Sequence, residues 1–135
     1  MKLLSINVRG LGGEKKWKYI KELIVMEKPG LLCVQETKLI NVNASKCFSL
    51  WGSNDASWIH KGTDKEGRGI LTMWDTKVFK CDRSVDGKGF VLVIWQYIGG
   101  ESGIDVNVVV LNVYAPCSNN EKCCCGEKLK MCWLM

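Results

Sequence analysis

Apolar positions over residues 1–40 switch from strand spacing to helical spacing and back. Lys2 to Val8 carries Leu3, Leu4, Ile6 and Val8, which predicts a strand with apolar side chains on both faces. Arg9-Gly10-Leu11-Gly12-Gly13 reads as a loop. From Glu14 to Lys28 the residues Trp17, Ile20, Leu23 and Ile24 form an apolar stripe, opposite a charged face of Lys15, Lys16, Lys18 and Glu22. That period predicts an amphipathic helix. Pro29-Gly30 stops it, and Leu31 to Glu36 predicts a second strand. Strand, loop, helix, stop, strand is a βαβ unit, with adjacent parallel strands and a right-handed crossover. Both strands then end on one sheet edge. The first delivers Asn7 there and the second delivers Glu36.

Beyond Lys38 the pattern loosens from Ile40 to Leu50. Trp51 to Trp58 predicts a short strand and His60 to Arg68 a charged, glycine-containing loop. Gly69 to Trp74 and Val78 to Val85 read as strands. Phe90 to Ile98 and Ile104 to Tyr114 are two long β-rich runs joined by a hairpin loop at Gly99 to Gly103. A βαβ start followed mostly by strands predicts a layered α/β or α+β domain built on a mixed β-sheet.

Length and composition fit one globular domain: 135 residues, 47% hydrophobic and 24% charged, so disorder is not the default. The net charge of +5 is compatible with a polyanionic partner, yet no long basic run concentrates it. Asn7 and Arg9 interrupt the first apolar run before a secretory signal is complete. No apolar run reaches the ~18 residues of a membrane span. The expectation is a soluble intracellular protein, nuclear or cytoplasmic, neither secreted nor membrane-bound. Among the 8 cysteines, Cys33, Cys47 and Cys81 read as small buried hydrophobes. Cys117, Cys123, Cys124, Cys125 and Cys132 crowd the end of the chain without the paired spacing of a zinc site.

Several apparent motifs fail on inspection. Gly10, Gly12 and Gly13 precede a helix, but the third glycine of a dinucleotide fingerprint would fall at Lys15. Gly62 to Arg68 outlines a phosphate loop without its lysine and hydroxyl residue. His60 has no nucleophile at a recognisable spacing.

Three segments in order carry a resemblance: LLSINVRGLGG at 3–13, LLCVQETKL at 31–39 and LNVYAP at 111–116, with GRGILTMWD at 67–75 between them. They resemble the endonuclease/exonuclease/phosphatase superfamily, most of all the apurinic-endonuclease-like domain of plant non-LTR (LINE-type) retrotransposons. The resemblance implies a four-layer α/β-sandwich, of which this chain is the amino-terminal half: a partial domain over 1–116 and a divergent Cys-rich tail over 117–135. It implies Mg²⁺, with Mn²⁺ as substitute, bound weakly at Glu36 beside Asn7, and Tyr114 contacting the scissile phosphate of DNA or another nucleic acid. Hard carboxylate and amide oxygens suit that ion. The later family motifs G-D-x-N and S-D-H are absent from the sequence. The expectation is therefore a truncated, inactive phosphodiesterase-like domain, with an exposed sheet face from the 90–98 and 104–114 strands that favours self-association. The rival readings are a non-catalytic fragment with weak nucleic-acid binding and an enzyme of another phosphoester.

Overall fold

The computed structural model describes residues 1–63, 68–100, 103 and 105–114. Ile104, residues 64–67 of the 60–68 loop, part of the 99–103 hairpin loop and everything after Tyr114, the Cys-rich tail included, lie outside the described residues. The elements run β1 (Leu3–Asn7), α1 (Glu14–Glu27), β2 (Leu31–Gln35), α2 (Ala44–Trp51), β3 (Ala56–Lys61), β4 (Ile70–Asp75), β5 (Phe79–Gly87), β6 (Phe90–Tyr97) and β7 (Val106–Val113).

The βαβ start forms as the pattern predicts. β1 pairs parallel with β2 in the register Leu3↔Leu31 to Asn7↔Gln35. Trp17, Ile20 and Ile24 of α1 are buried against Leu32 and Val34 of β2. Trp17 also donates its indole N–H to the Leu11 carbonyl at 2.8 Å, fixing the loop between β1 and α1. The helix ends on Lys28, whose left-handed φ of 47° returns its N–H to the Ile24 carbonyl.

Two expectations need correction. The loose stretch before Trp51 contains α2, and the predicted strand at 51–58 is displaced to Ala56–Lys61, which takes His60 and Lys61 out of the expected loop. Both caps of α2 are legible afterwards. Asn43 accepts the Lys46 N–H at 2.8 Å, and Gly52 closes the helix with φ of 89°. The expected mixed sheet forms from four strands, β1-β2-β4-β3, and the later strands add a second, antiparallel three-stranded sheet, β5-β6-β7.

The result is an α+β stack of three layers. One core lies between the two helices and the four-stranded sheet, where Ile20, Leu32, Val34, Cys47, Leu71 and Met73 are fully enclosed. A second lies between the two sheets, around Trp74, Phe79, Val91, Val93 and Trp95. Alternation along each strand sends neighbouring side chains to opposite layers: Leu31 and Cys33 to the inter-sheet core, Leu32 and Val34 to the helix side. The four-stranded sheet is thus covered on both faces. The uncovered face is the outer side of β5-β6-β7, where no element packs among the described residues. Cys33 and Cys47 are buried as expected and burial pushes the Cys47 thiol up to about 11, whereas Cys81 is exposed. No helix among the described residues is long and apolar enough to cross a membrane.

His60 supplies a test of this packing. Its ring is half-buried on β3, Nε2 has no hydrogen-bond partner among the described residues, and burial lowers its pKa from the ordinary 6.5. The unfolded chain therefore binds the proton more readily than the folded one. His60's contribution to stability is complete above pH 6.5 and is lost as pH falls from there through its lowered folded-state value. Urea midpoints should fall between about pH 7 and about pH 5 more steeply in the wild type than in His60→Gln. Equal slopes would contradict the burial of the ring.

Candidate functional site

The parallel pairing of β1 and β2 does not stop at the strand ends. Val8 N–H donates to the Gln35 carbonyl at 3.1 Å, Gly10 N–H to Glu36 at 2.6 Å and Leu11 N–H to Thr37 at 2.8 Å. From the other side, Thr37 N–H donates to the Gly69 carbonyl at 3.0 Å, at the entry to β4. Glu36 is therefore the middle residue of a loop gripped by both neighbours. Thr37 beside it is fully buried, and its hydroxyl fills the space that any side chain on Gly69 would need. The glycine at the start of the GILTMW strand is there because that loop approaches so closely.

This grip holds unusual backbone. Among the described residues, the non-glycines with positive φ are Arg9 (49°), Lys28 (47°), Glu36 (55°) and Lys38 (53°). Lys28 is the helix cap; the other three flank or form the convergence of the two strand ends. Left-handed backbone is costly for residues with a Cβ and persists where the surroundings over-determine it, most often at functional sites.

The side chains meet as the sequence suggests. Asn7 donates its side-chain amide N–H to Glu36 Oε1 at 2.9 Å, and its Oδ1 accepts the Arg9 N–H at 3.1 Å. A carboxylate needs a donor and a backbone N–H needs an acceptor, so these two partners fix which way the Asn7 amide faces. Asn7 is thereby both the loop cap and the orienting partner of Glu36. Positive charge surrounds the pair. Lys16 of α1 donates to the Val8 and Arg9 carbonyls at 2.6 and 3.1 Å, and the Lys38 side chain packs over Gly10.

Tyr114 reaches the same end of the stack by another route. It follows β7 directly, donates its N–H to the Gly89 carbonyl at 2.8 Å and packs half-buried against the inter-sheet core. Two residues earlier, Asn112 accepts from Gln35 Nε2 at 2.6 Å and donates to Leu71 O at 3.2 Å and Thr72 Oγ1 at 3.0 Å. Gln35 Nε2 also reaches Ser5 Oγ at 3.2 Å. This buried polar clasp ties β7 to the ends of β1, β2 and β4 immediately below Glu36. Sequence reasoning missed Gln35 and Asn112. The signal was a polar residue continuing the inward row of Val108 and Val110 in a largely apolar strand.

Among the described residues, no group of three or more His, Cys, Asp or Glu side chains could hold a metal ion. The donor set at this end is one carboxylate and one amide oxygen already accepting a backbone N–H. Such a set fits a divalent cation that keeps most of its water.

No family model matches the sequence, and no curated protein matches it. Solved structures do. AP endonuclease LMAP from Leishmania major superposes with a TM-score of 0.57 at 19% identity, over 83% of this chain and 39% of that one. The human Nocturnin catalytic domain gives 0.61 at 15% identity, over 81% and 48%. The Xenopus laevis APE2 catalytic domain gives 0.61 at 15% identity, over 90% and 47%. This chain therefore has the α+β sandwich fold of the endonuclease/exonuclease/phosphatase type and spans less than half the length of those structures.

Proposed function

We propose that this chain is the amino-terminal half of a Mg²⁺-dependent phosphodiesterase domain, of the endonuclease kind found in plant LINE-type retrotransposons, and that it is catalytically silent alone. The observation that carries this reading is the 2.9 Å bond between Asn7 and Glu36 at the ends of two parallel strands, held on left-handed backbone. In this reading Glu36 is the metal carboxylate, and Asn7 orients it through its side-chain N–H. Bound Mg²⁺, or Mn²⁺ in its place, would neutralise charge on the phosphoryl group. Tyr114 donates its hydroxyl to a phosphate oxygen of DNA, and Arg9, Lys16 and Lys38 favour the approach of the polyanion.

What the half-domain lacks sets its rate. A group that prepares the attacking water is worth about 10²–10⁴-fold, and each donor to the developing charge about 10²–10³-fold. The motifs that supply both in the family, G-D-x-N and S-D-H, do not occur in the sequence. The purified chain is expected to leave supercoiled and abasic-site DNA intact in Mg²⁺. Nicking by the wild type but not by Glu36→Ala would overturn the silent half-domain; equal nicking by both would mark a contaminant and leave the expected result standing for the chain itself.

A further inference from the structure

Sheet edges are normally protected by charge, proline, bulges or brevity. Among the described residues, the three-stranded sheet protects one edge only. β5 carries Lys80, Asp82, Arg83 and Asp86 and a bulge between Cys81 and Arg83. β7, the opposite edge, reads VNVVVLNV, eight residues without charge, proline or glycine. In the four-stranded sheet, β3 ends on His60 and Lys61, and β1 is only five residues long.

The hydrogen-bonding groups of β7 that have no partner among the described residues can be identified. Tyr114 N–H points to β6, at the Gly89 carbonyl, and Val113 lies opposite Phe90. Alternation then directs the backbone groups of Val106, Val108, Val110 and Asn112 toward β6. Those of Asn107, Val109, Leu111 and Val113 face the open edge. The same four residues place their side chains on the uncovered outer face, in rows with Ile94, Leu92 and Phe90 of β6.

We propose that β7 pairs antiparallel with β7 of a second copy of this chain, joining two three-stranded sheets into one across a two-fold axis. The strand is self-complementary for this. With the axis at Val110, Val109 lies opposite Leu111 and Asn107 opposite Val113, as hydrogen-bonded pairs formed by the edge-facing groups. Outer face continues into outer face, and no like charges meet. The dimer does not depend on Glu36 or on any catalytic reading.

Sedimentation of the full chain with reductant present, at about tens of micromolar, should give twice the chain mass. Val109→Pro removes only an edge-facing N–H, which edge strands tolerate. It should weaken dimerisation by about tenfold or more while the circular dichroism is kept. Val109→Lys with Leu111→Lys sets lysines opposite each other and should give monomer, whereas Val109→Lys with Leu111→Glu should restore the dimer. This pair decides the register even where the proline variant fails to fold. A monomeric wild type overturns the proposal. So does a dimer that survives the double-lysine change, or one abolished by Leu92→Lys on the sheet face but indifferent to the edge.

Discussion

Trp95→Ala is expected to cost about 3–5 kcal/mol, the usual range for deleting a large aromatic from a core. A domain of this size has about 5–15 kcal/mol in all, so the variant should be close to unfolding at room temperature. Trp95 is completely buried between the two sheets, with Trp74 at 5.4 Å and Phe79 at 6.0 Å between ring centroids. Its indole Nε1 is buried without a hydrogen-bond partner among the described residues. Trp95→Phe therefore removes an unsatisfied donor, worth about 1–3 kcal/mol, against a smaller loss of packing. The phenylalanine variant should unfold at a urea concentration close to that of the wild type. If Ala and Phe destabilise equally, the unpaired indole is not as described. If neither does, the two sheets are not packed through Trp95.

The parts of the fold legible in the sequence are those set by local period. α1 declares itself through Trp17, Ile20 and Ile24, and Pro29-Gly30 marks the return to strand, so the parallel pairing of β1 with β2 follows. α2 was illegible because eight residues give barely two turns, and only Cys47 and Leu50 are fully buried. Its caps, Asn43 and Gly52, were the stronger signal. The division into two sheets was illegible for a different reason. Strand runs announce themselves, but which strand pairs with which depends on distant contacts: Lys61 of β3 joins Asp86 of β5 by an ion pair at 2.9 Å rather than by a ladder. The exposed apolar face expected of the 90–98 and 104–114 strands is present in part, on the outer side of β6 and β7, while their inner rows fill the inter-sheet core.

The candidate site divides the same way. Asn7 and Glu36 were legible because an apolar strand that ends on a polar side chain advertises its tip. Tyr114 was reached through the LNVYAP likeness. The clasp of Gln35 and Asn112 was not, since a polar residue in an apolar run reads as an exception until its inward position is known. The left-handed backbone of Glu36 was also hidden: QETK has no glycine, and the conformation is imposed by Gly10 and Leu11 on one side and Gly69 on the other.

The second large effect concerns the metal. Glu36 supplies the one carboxylate of the candidate site, so replacing it with glutamine should abolish divalent binding there. Asn7→Ala removes the orienting donor and should weaken binding by about tenfold, the lower range for losing such a partner. With a single anionic ligand the wild-type affinity should be on the order of millimolar, because a hydrated divalent ion parts with its waters reluctantly. Thr37 and Gly69 hold the loop independently of the carboxylate, so Glu36→Gln should keep its fold. The direct measurement is paramagnetic broadening of backbone amide resonances on titration with Mn²⁺. The account predicts selective loss of signals around Asn7 to Gly10 and Gln35 to Lys38 in the wild type, and none in Glu36→Gln at the same concentration. Broadening centred elsewhere, or unchanged by Glu36→Gln, would contradict a metal carboxylate at the ends of β1 and β2.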